Sequence, residues 1–233
     1  RLWRVKMPEV APILLFVVII GVVILVGALG WLQEKRRREA FQALASRLGL
    51  RYSAKDWGIA NSYAFLDKLR EGSRRYAFNI LDGNYNGHDV LVFDYHYETY
   101  STDSKGHRDT HHHYFSFFVL NQMQRFPELR IYPENVLSKL GQMLGFDDID
   151  FESIEFSRAF TVRSKDRKFA YDFCHPRMME YLLKDRRLCL EIEEHALSMS
   201  FDRRLNVDEI QSRLDQLVDI RTLIPEYLYR SDS

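Results

Sequence analysis

Residues 10–33 form a run of 24 positions without one charged side chain, and Glu34, Lys35, Arg36, Arg37 and Arg38 follow at once. A helix rises ~1.5 Å per residue, so the run reaches about 36 Å, enough to cross a hydrocarbon core of roughly 30 Å. This constrains everything after it: residues 1–34 read as a single-pass membrane anchor carrying a water-exposed domain. A cleaved signal peptide is the rival reading, with Arg1, Arg4 and Lys6 as its basic start and Ala28, Leu29 and Gly30 as a small-residue cut site. The apolar part of such a peptide runs only about 7–15 residues. Trp3 and Trp31 near the two ends suit the headgroup layers on either side of a retained span.

Six bases (Lys35, Arg36, Arg37, Arg38, Arg47 and Arg51) follow the span closely, against three before it. The positive-inside rule then predicts a cytoplasmic C-terminal domain. Cys174 and Cys189 sit in apolar stretches without CxxC spacing, which suits buried thiols of a reducing compartment. No N-x-Ser/Thr acceptor is present, in keeping with that side. Residues 1–51 carry nine bases and three acids, so a neutral whole leaves the rest of the chain net acidic. The acidic body repels phosphate backbones and excludes nucleic acid as the expected partner. Lys35, Arg36, Arg37 and Arg38 are the expected membrane-surface residues, each worth about 1 kcal/mol against anionic lipid.

Beyond the span, Phe41, Leu44, Ala45 and Leu48 recur at helical spacing and Gly49 supplies a left-handed cap. With no Pro or Gly between Trp31 and Leu48, residues 35–50 read as a juxtamembrane helix continuing the membrane helix as a rigid stalk. The period then changes. Residues 76–81 and 89–97 read as strands, with Asp82-Gly83-Asn84 and Asn86-Gly87 as turn chemistry. Residues 111–120 and 129–132 read as two further strands. In the second half, residues 160–163 suggest a strand and Ser164 a helix cap, while Pro176 starts another helix. Residues 188–192 and 196–201 read as a hairpin, and Asn206 caps a final amphipathic helix through Ile210, Leu214, Leu217 and Ile224, ended by Pro225. The predicted class is α+β: an N-terminal transmembrane helix, then an antiparallel-sheet domain over residues 51–233 with flanking helices, in one piece or as two halves meeting near 134–157.

Glu155-Phe156, Phe160-x-Val162-x-Ser164-x-Asp166, Ala170 and His175-Pro176-x-Met178-Met179-Glu180-x-Leu182 follow one another at a distinctive spacing. With Gly87-His88-x-Val90-x-Val92-Phe93-Asp94-Tyr95, this pattern resembles a bacterial family of membrane-anchored domains of unknown function, over residues 36–228. The resemblance implies retention of the anchor in a bacterial inner membrane. It implies no catalytic residue.

Six of the eight histidines fall between His88 and His113. Neutral imidazole ligates zinc, copper and nickel, so His96, Glu98, His111, His112 and His113 are the candidate metal ligands. Strand register decides which of them meet, because side chains alternate faces. A turn centred on Lys105 sets His96 opposite Tyr114 and Glu98 opposite His112. It also stacks Leu91, Phe93 and Tyr95 beside Val119, Phe117 and Phe115, and leaves Asp94, His96, Glu98 and His112 on the other face. A shift of half a residue groups His96, Glu98, His111 and His113 but mixes apolar and polar side chains on both faces. The first register is expected, with the histidines coating a solvated hairpin end.

Asp147, Asp148, Asp150, Glu152 and Glu155 interleave with Phe146, Ile149, Phe151, Ile154 and Phe156. This reads as a half-buried loop or strand with a wet outer face, since the calcium-loop spacing and its central Gly are absent. Neither a GxSxG elbow nor a phosphate-binding Gly loop occurs. Adjacent Cys174 and His175 would point about 100° apart on a helix, so they do not make a dyad. The sequence assigns no catalytic residue and no cofactor. Its functional expectation is a non-enzymatic, membrane-anchored interaction module whose partners are the bilayer and a protein. The alternative is a metal-binding sensor or metal-dependent enzyme built on the hairpin histidines.

Overall fold

The apolar run does fold as one helix with the segment that follows it. In the computed structural model, which describes residues 10–104, 106–134 and 148–229, helix α1 spans Val10–Leu48. At ~1.5 Å per residue its 39 residues reach about 58 Å, well beyond the bilayer core. From Leu14 to Trp31 the large apolar side chains are exposed, and none of this stretch is buried against the domain. Among the described residues one helix, near the N-terminus, is thus long and apolar enough to cross a membrane, which fits single-pass anchoring. Trp3, near the start of the span, lies outside the described residues.

The last third of α1 changes character. Phe41, Leu44 and Ala45 are buried against the domain, and Leu48 packs beside them. Gly49, at φ +69°, turns the chain so that the Leu50 N–H donates to the Ala45 carbonyl at 2.9 Å. The stalk is therefore part of the domain core.

A six-stranded antiparallel sheet follows: β1 (Arg51–Asp56), β2 (Ser73–Tyr85), β3 (His88–Thr102), β4 (Arg108–Pro133), β5 (Phe160–Ser164) and β6 (Cys189–Ser200). The spatial order is β1-β2-β3-β4-β5, with β6 along the other edge of β4. β4 organises the sheet. Its first part pairs with β3 and its last part with β5, while β6 runs beside both stretches, so a single sheet runs through both halves of the sequence. Helices α1, α4 (Arg167–Phe173), α5 (Pro176–Leu182) and α6 (Val207–Leu223) share the larger core with one sheet face. The segment carrying α2 (Ile59–Ser62), Leu66 and Leu69 covers the other face over Phe93, Tyr95, Phe115 and Phe117. The observed class is α+β.

Several sequence expectations change here, mostly for one reason. Residues 111–120 and 129–132 belong to the single strand β4, and residues 188–192 and 196–201 belong to the single strand β6, with no hairpin between them. Register shifts near Phe126 open a bulge, and Glu194 sits in it at φ 52°. The bulge inverts the side-chain phase. Leu190 and Ile192 enter the helix-side core before it, Leu197 and Met199 after it. The polar Glu193-Glu194-His195 break that reads as a turn is where β6 passes this bulge and changes phase. A second bulge, at Asn79 (φ 50°), inverts β2 between Phe78 and Leu81. Asp82, Gly83 and Asn84 continue β2, and Asn86-Gly87 alone makes the turn.

β1 carries an almost wholly exposed side-chain pattern and gave no alternation to read. Asp166, rather than Ser164, caps α4: its side chain accepts from the Phe169 N–H at 2.9 Å. Asn206 does cap α6, in a reciprocal box with Glu209. Ile154 to Ala159 form the short helix α3, so Ile154 is exposed while Phe156 is buried.

Candidate functional site

The site lies where α1 leaves its apolar segment and crosses the sheet. Along β3 the side chains facing α1 run Val90, Val92, Asp94, His96, Glu98, and β4 adds Leu120, Phe118, Ser116, Tyr114 and His112 beside them. The apolar end closes under Phe41 and the helical layer. The polar end continues beyond the core, and its groups are ordered by what packs on them.

Asp94 is completely buried. Arg37 donates to both of its oxygens, from Nε at 3.0 Å and Nη2 at 2.9 Å. Asn79, placed by the β2 bulge, donates to Oδ2 at 3.0 Å, and the Ser116 hydroxyl donates to Oδ1 at 2.9 Å. Arg37 also reaches the Leu205 carbonyl at 2.8 Å, and the Leu205 N–H donates to Ser116 Oγ at 2.9 Å. One carboxylate thus ties α1, β2, β3, β4 and the loop before α6 together. Arg204 Nε stands 3.4 Å from Asp94, and the Arg204 guanidinium makes two hydrogen bonds to Glu34 at 2.7 and 3.1 Å.

Of the expected membrane-surface residues, Lys35, Arg36 and Arg38 are exposed. Arg37 is not free for lipid, because Asp94 holds it on the domain side. The sequence reading missed this pairing: an acid inside an apolar strand, Asp94 in Val92-Phe93-Asp94-Tyr95, was the signal that a base must come to it.

Beside this junction a cleft of about 610 Å³ opens, lined by Glu34, Arg38, Lys55, Tyr76, Phe78 and Tyr114 among others. Lys55 Nζ sits 3.6 Å from the Tyr76 ring centre and 4.1 Å from that of Trp57, and Arg204 lies over Phe78. Cations and aromatic faces thus alternate along its walls, within two helical turns of the last residue of the apolar run.

Behind the Tyr76 and Tyr114 rings of the cleft stands His96, the first of the hairpin histidines. The observed register is the expected one: His96 opposite Tyr114, Glu98 opposite His112. The His96 ring lies 4.6 Å from that of Tyr76 and 4.8 Å from that of Tyr114. The expected solvated surface is not what the fold makes of them. His96 and Glu98 are 3 % and 5 % exposed, and His112 alone is half open to solvent. The Tyr76 and Tyr114 rings cover His96, and Gly72, left-handed at φ +66°, lets its chain pass so close to β3 that a Cβ there would lie 2.5 Å from the Glu98 carbonyl oxygen. Burial also holds the His96 imidazole below its ordinary pKa, favouring the neutral form.

Among the candidate ligands, His96, Glu98 and His112 come together, with one nitrogen or oxygen from each within 4.8 Å of the others. His111 and His113 do not join them. His113 stacks on Tyr97 and bonds Thr99 at 2.8 Å, and His111 bonds Ser101 at 2.8 Å, both on the opposite face. The acidic stretch disperses as a structural segment: Asp148 pairs with Arg163 and Glu155 with Arg186, while Phe146 and Asp147 lie outside the described residues. Cys174 and His175 do not form a dyad. Burial pushes the Cys174 thiol far up, and His175 Nε2 bonds the Leu223 carbonyl at 2.9 Å.

No protein-family model and no curated protein matches this chain. Among solved structures, the crystal structure of the mycobacterial trehalose monomycolate transport factor A, TtfA, is similar in fold. The TM-score is 0.56 at 13 % sequence identity, over 82 % of this chain and 95 % of that one.

Proposed function

We propose that the chain is a non-enzymatic, single-pass interaction module that holds one face of its sheet against the surface of a bacterial inner membrane, on the cytoplasmic side. The observation that carries this reading is the unbroken α1, which is apolar and exposed in its first part and buried in the domain core in its last. A stalk built this way fixes the height and orientation of the cleft above the bilayer, which a flexible tether would not. Its walls of tyrosine, phenylalanine and arginine have the composition enriched at protein interfaces. The fold shared with a mycobacterial transport factor is compatible with a module that acts through partners, and the resemblance to bacterial membrane-anchored domains supports a membrane compartment.

Site-specific photo-crosslinking in native membranes tests the reading. A crosslinker at Tyr114, in the cleft, should give a discrete protein adduct, and one at the fully exposed Met123 should not. A silent Tyr114 position, or equal labelling from both, would remove the cleft as the interaction face.

A further inference from the structure

We infer that His96, Glu98 and His112 form a binding site for a divalent transition metal, with zinc the best-matched ion. This goes beyond the role as an interaction module and stands independently of it. The donor set is two imidazoles and one carboxylate, all of borderline-to-hard character, which suits zinc. The backbone fixes the set: Glu98 and His112 are directly paired across the β3–β4 ladder, and His96 precedes Glu98 by two residues on the same face.

The spacing is of the size a metal needs, with all three ligand atoms within 4.8 Å of one another. Two ligands of a tetrahedral zinc at about 2.0–2.1 Å stand ~3.3 Å apart. His96 Nε2 lies 3.0 Å from His112 Nδ1, and His112 Nδ1 lies 3.6 Å from Glu98 Oε1, so the observed separations bracket that value. Outer partners already hold the remaining oxygen. The Tyr100 hydroxyl donates to Glu98 Oε2 at 2.8 Å and Arg74 stands 3.8 Å from it, leaving Oε1 turned toward the imidazoles. Such supporting contacts orient metal ligands. The Arg74 backbone bonds the His96 ring, a further outer contact of the kind that orients a ligand.

Two bases work against a cation here and neither is buried. The Arg74 side chain is 75 % exposed, and Lys55 lies outward over Trp57 and Tyr76. Three protein ligands leave a fourth position, and half-open His112 gives the ion a way in.

The competing account is a hydrogen-bonded histidine pair beside a carboxylate, and calorimetric titration separates the two. Untagged full-length protein in detergent, stripped with chelator, is titrated with zinc chloride. One ion should bind per chain, and His112→Gln should weaken binding about tenfold or more. His112 is half exposed, so that variant is expected to fold, which circular dichroism checks. Glu98→Gln should weaken binding as well. The double variant His111→Gln/His113→Gln, altered on the other face, should bind as the unaltered protein does. Absence of saturable uptake, or unchanged affinity in a folded His112→Gln protein, would overturn the site. Loss of binding in the double variant would assign the ion to the surface histidines and overturn it equally.

Discussion

Arg37, one turn past the end of the apolar run, makes two parallel hydrogen bonds to the completely buried carboxylate of Asp94 in the middle of the sheet. A planar guanidinium fits a carboxylate in this two-pronged way, and the fork fixes orientation as well as distance. The consequence is mechanical. The membrane helix cannot rotate or tilt relative to the sheet without breaking a charge pair that has no water to fall back on.

Removal of either partner leaves the other buried and uncompensated. Arg37→Ala and Asp94→Ala should each cost about 3–5 kcal/mol of stability. Arg37→Lys keeps the charge but loses the fork, and should fall between these and the unaltered protein. Urea unfolding of the full chain in detergent measures all three. A loss under about 1 kcal/mol for Arg37→Ala would mean that the pair does not hold the stalk.

The boundary of the anchor follows from the same geometry. The full chain should stay in the membrane pellet through an alkaline wash, since its apolar segment buries nothing in the domain. A chain of residues 34–233 keeps both the Glu34–Arg204 and Arg37–Asp94 pairs and should be soluble and folded. Starting at residue 42 instead removes Arg37 and the buried Phe41, a ring whose loss alone costs ~3–5 kcal/mol. That shorter chain should unfold at a clearly lower temperature.

Sidedness is testable in intact cells. With a cytoplasmic domain, protease added outside should leave residues 34–229 uncut, and permeabilisation should expose exposed loops such as that around Gly106. Cleavage in the domain without permeabilisation would reverse the assignment that the basic residues after the span suggest.

Glu193 gives the fold a pH dependence. Burial, and then the Glu128 carboxylate, push its carboxyl up to about 7. The folded state therefore keeps a proton that the unfolded chain releases from roughly pH 4.3 upward. Where the native state binds more protons than the unfolded one, stability falls as pH rises, here between about 4.3 and 7. Replacement by Gln should flatten that decline. Melting temperatures of the two proteins at pH 5 and pH 8 check it: the gap between pH values should be smaller in Glu193→Gln, and an equal gap would exclude Glu193 as the cause.

What the sequence by itself determined is whatever rests on local composition and period. The long apolar helix, its continuation to Leu48, the Gly49 cap and the Asn206 cap are all set by residues adjacent in the chain, and the structure has them in place. The β3–β4 register was also legible, because only one alignment gathers Phe93, Tyr95, Phe115 and Phe117 onto a single face. Long-range choices belonged to the tertiary structure. Whether Glu193-Glu194-His195 is a turn or a bulge depends on whether β4 lies alongside to receive both halves of β6, and no local signal reports that. The fate of the histidines was decided the same way. Alternation put His96, Glu98 and His112 on one face, but the cover over His96 came from the rings of Tyr76 and Tyr114, brought up by the sheet. Arg37 shows the limit most plainly. Four successive bases look alike beside a membrane, and only a buried carboxylate 57 residues away singles one of them out.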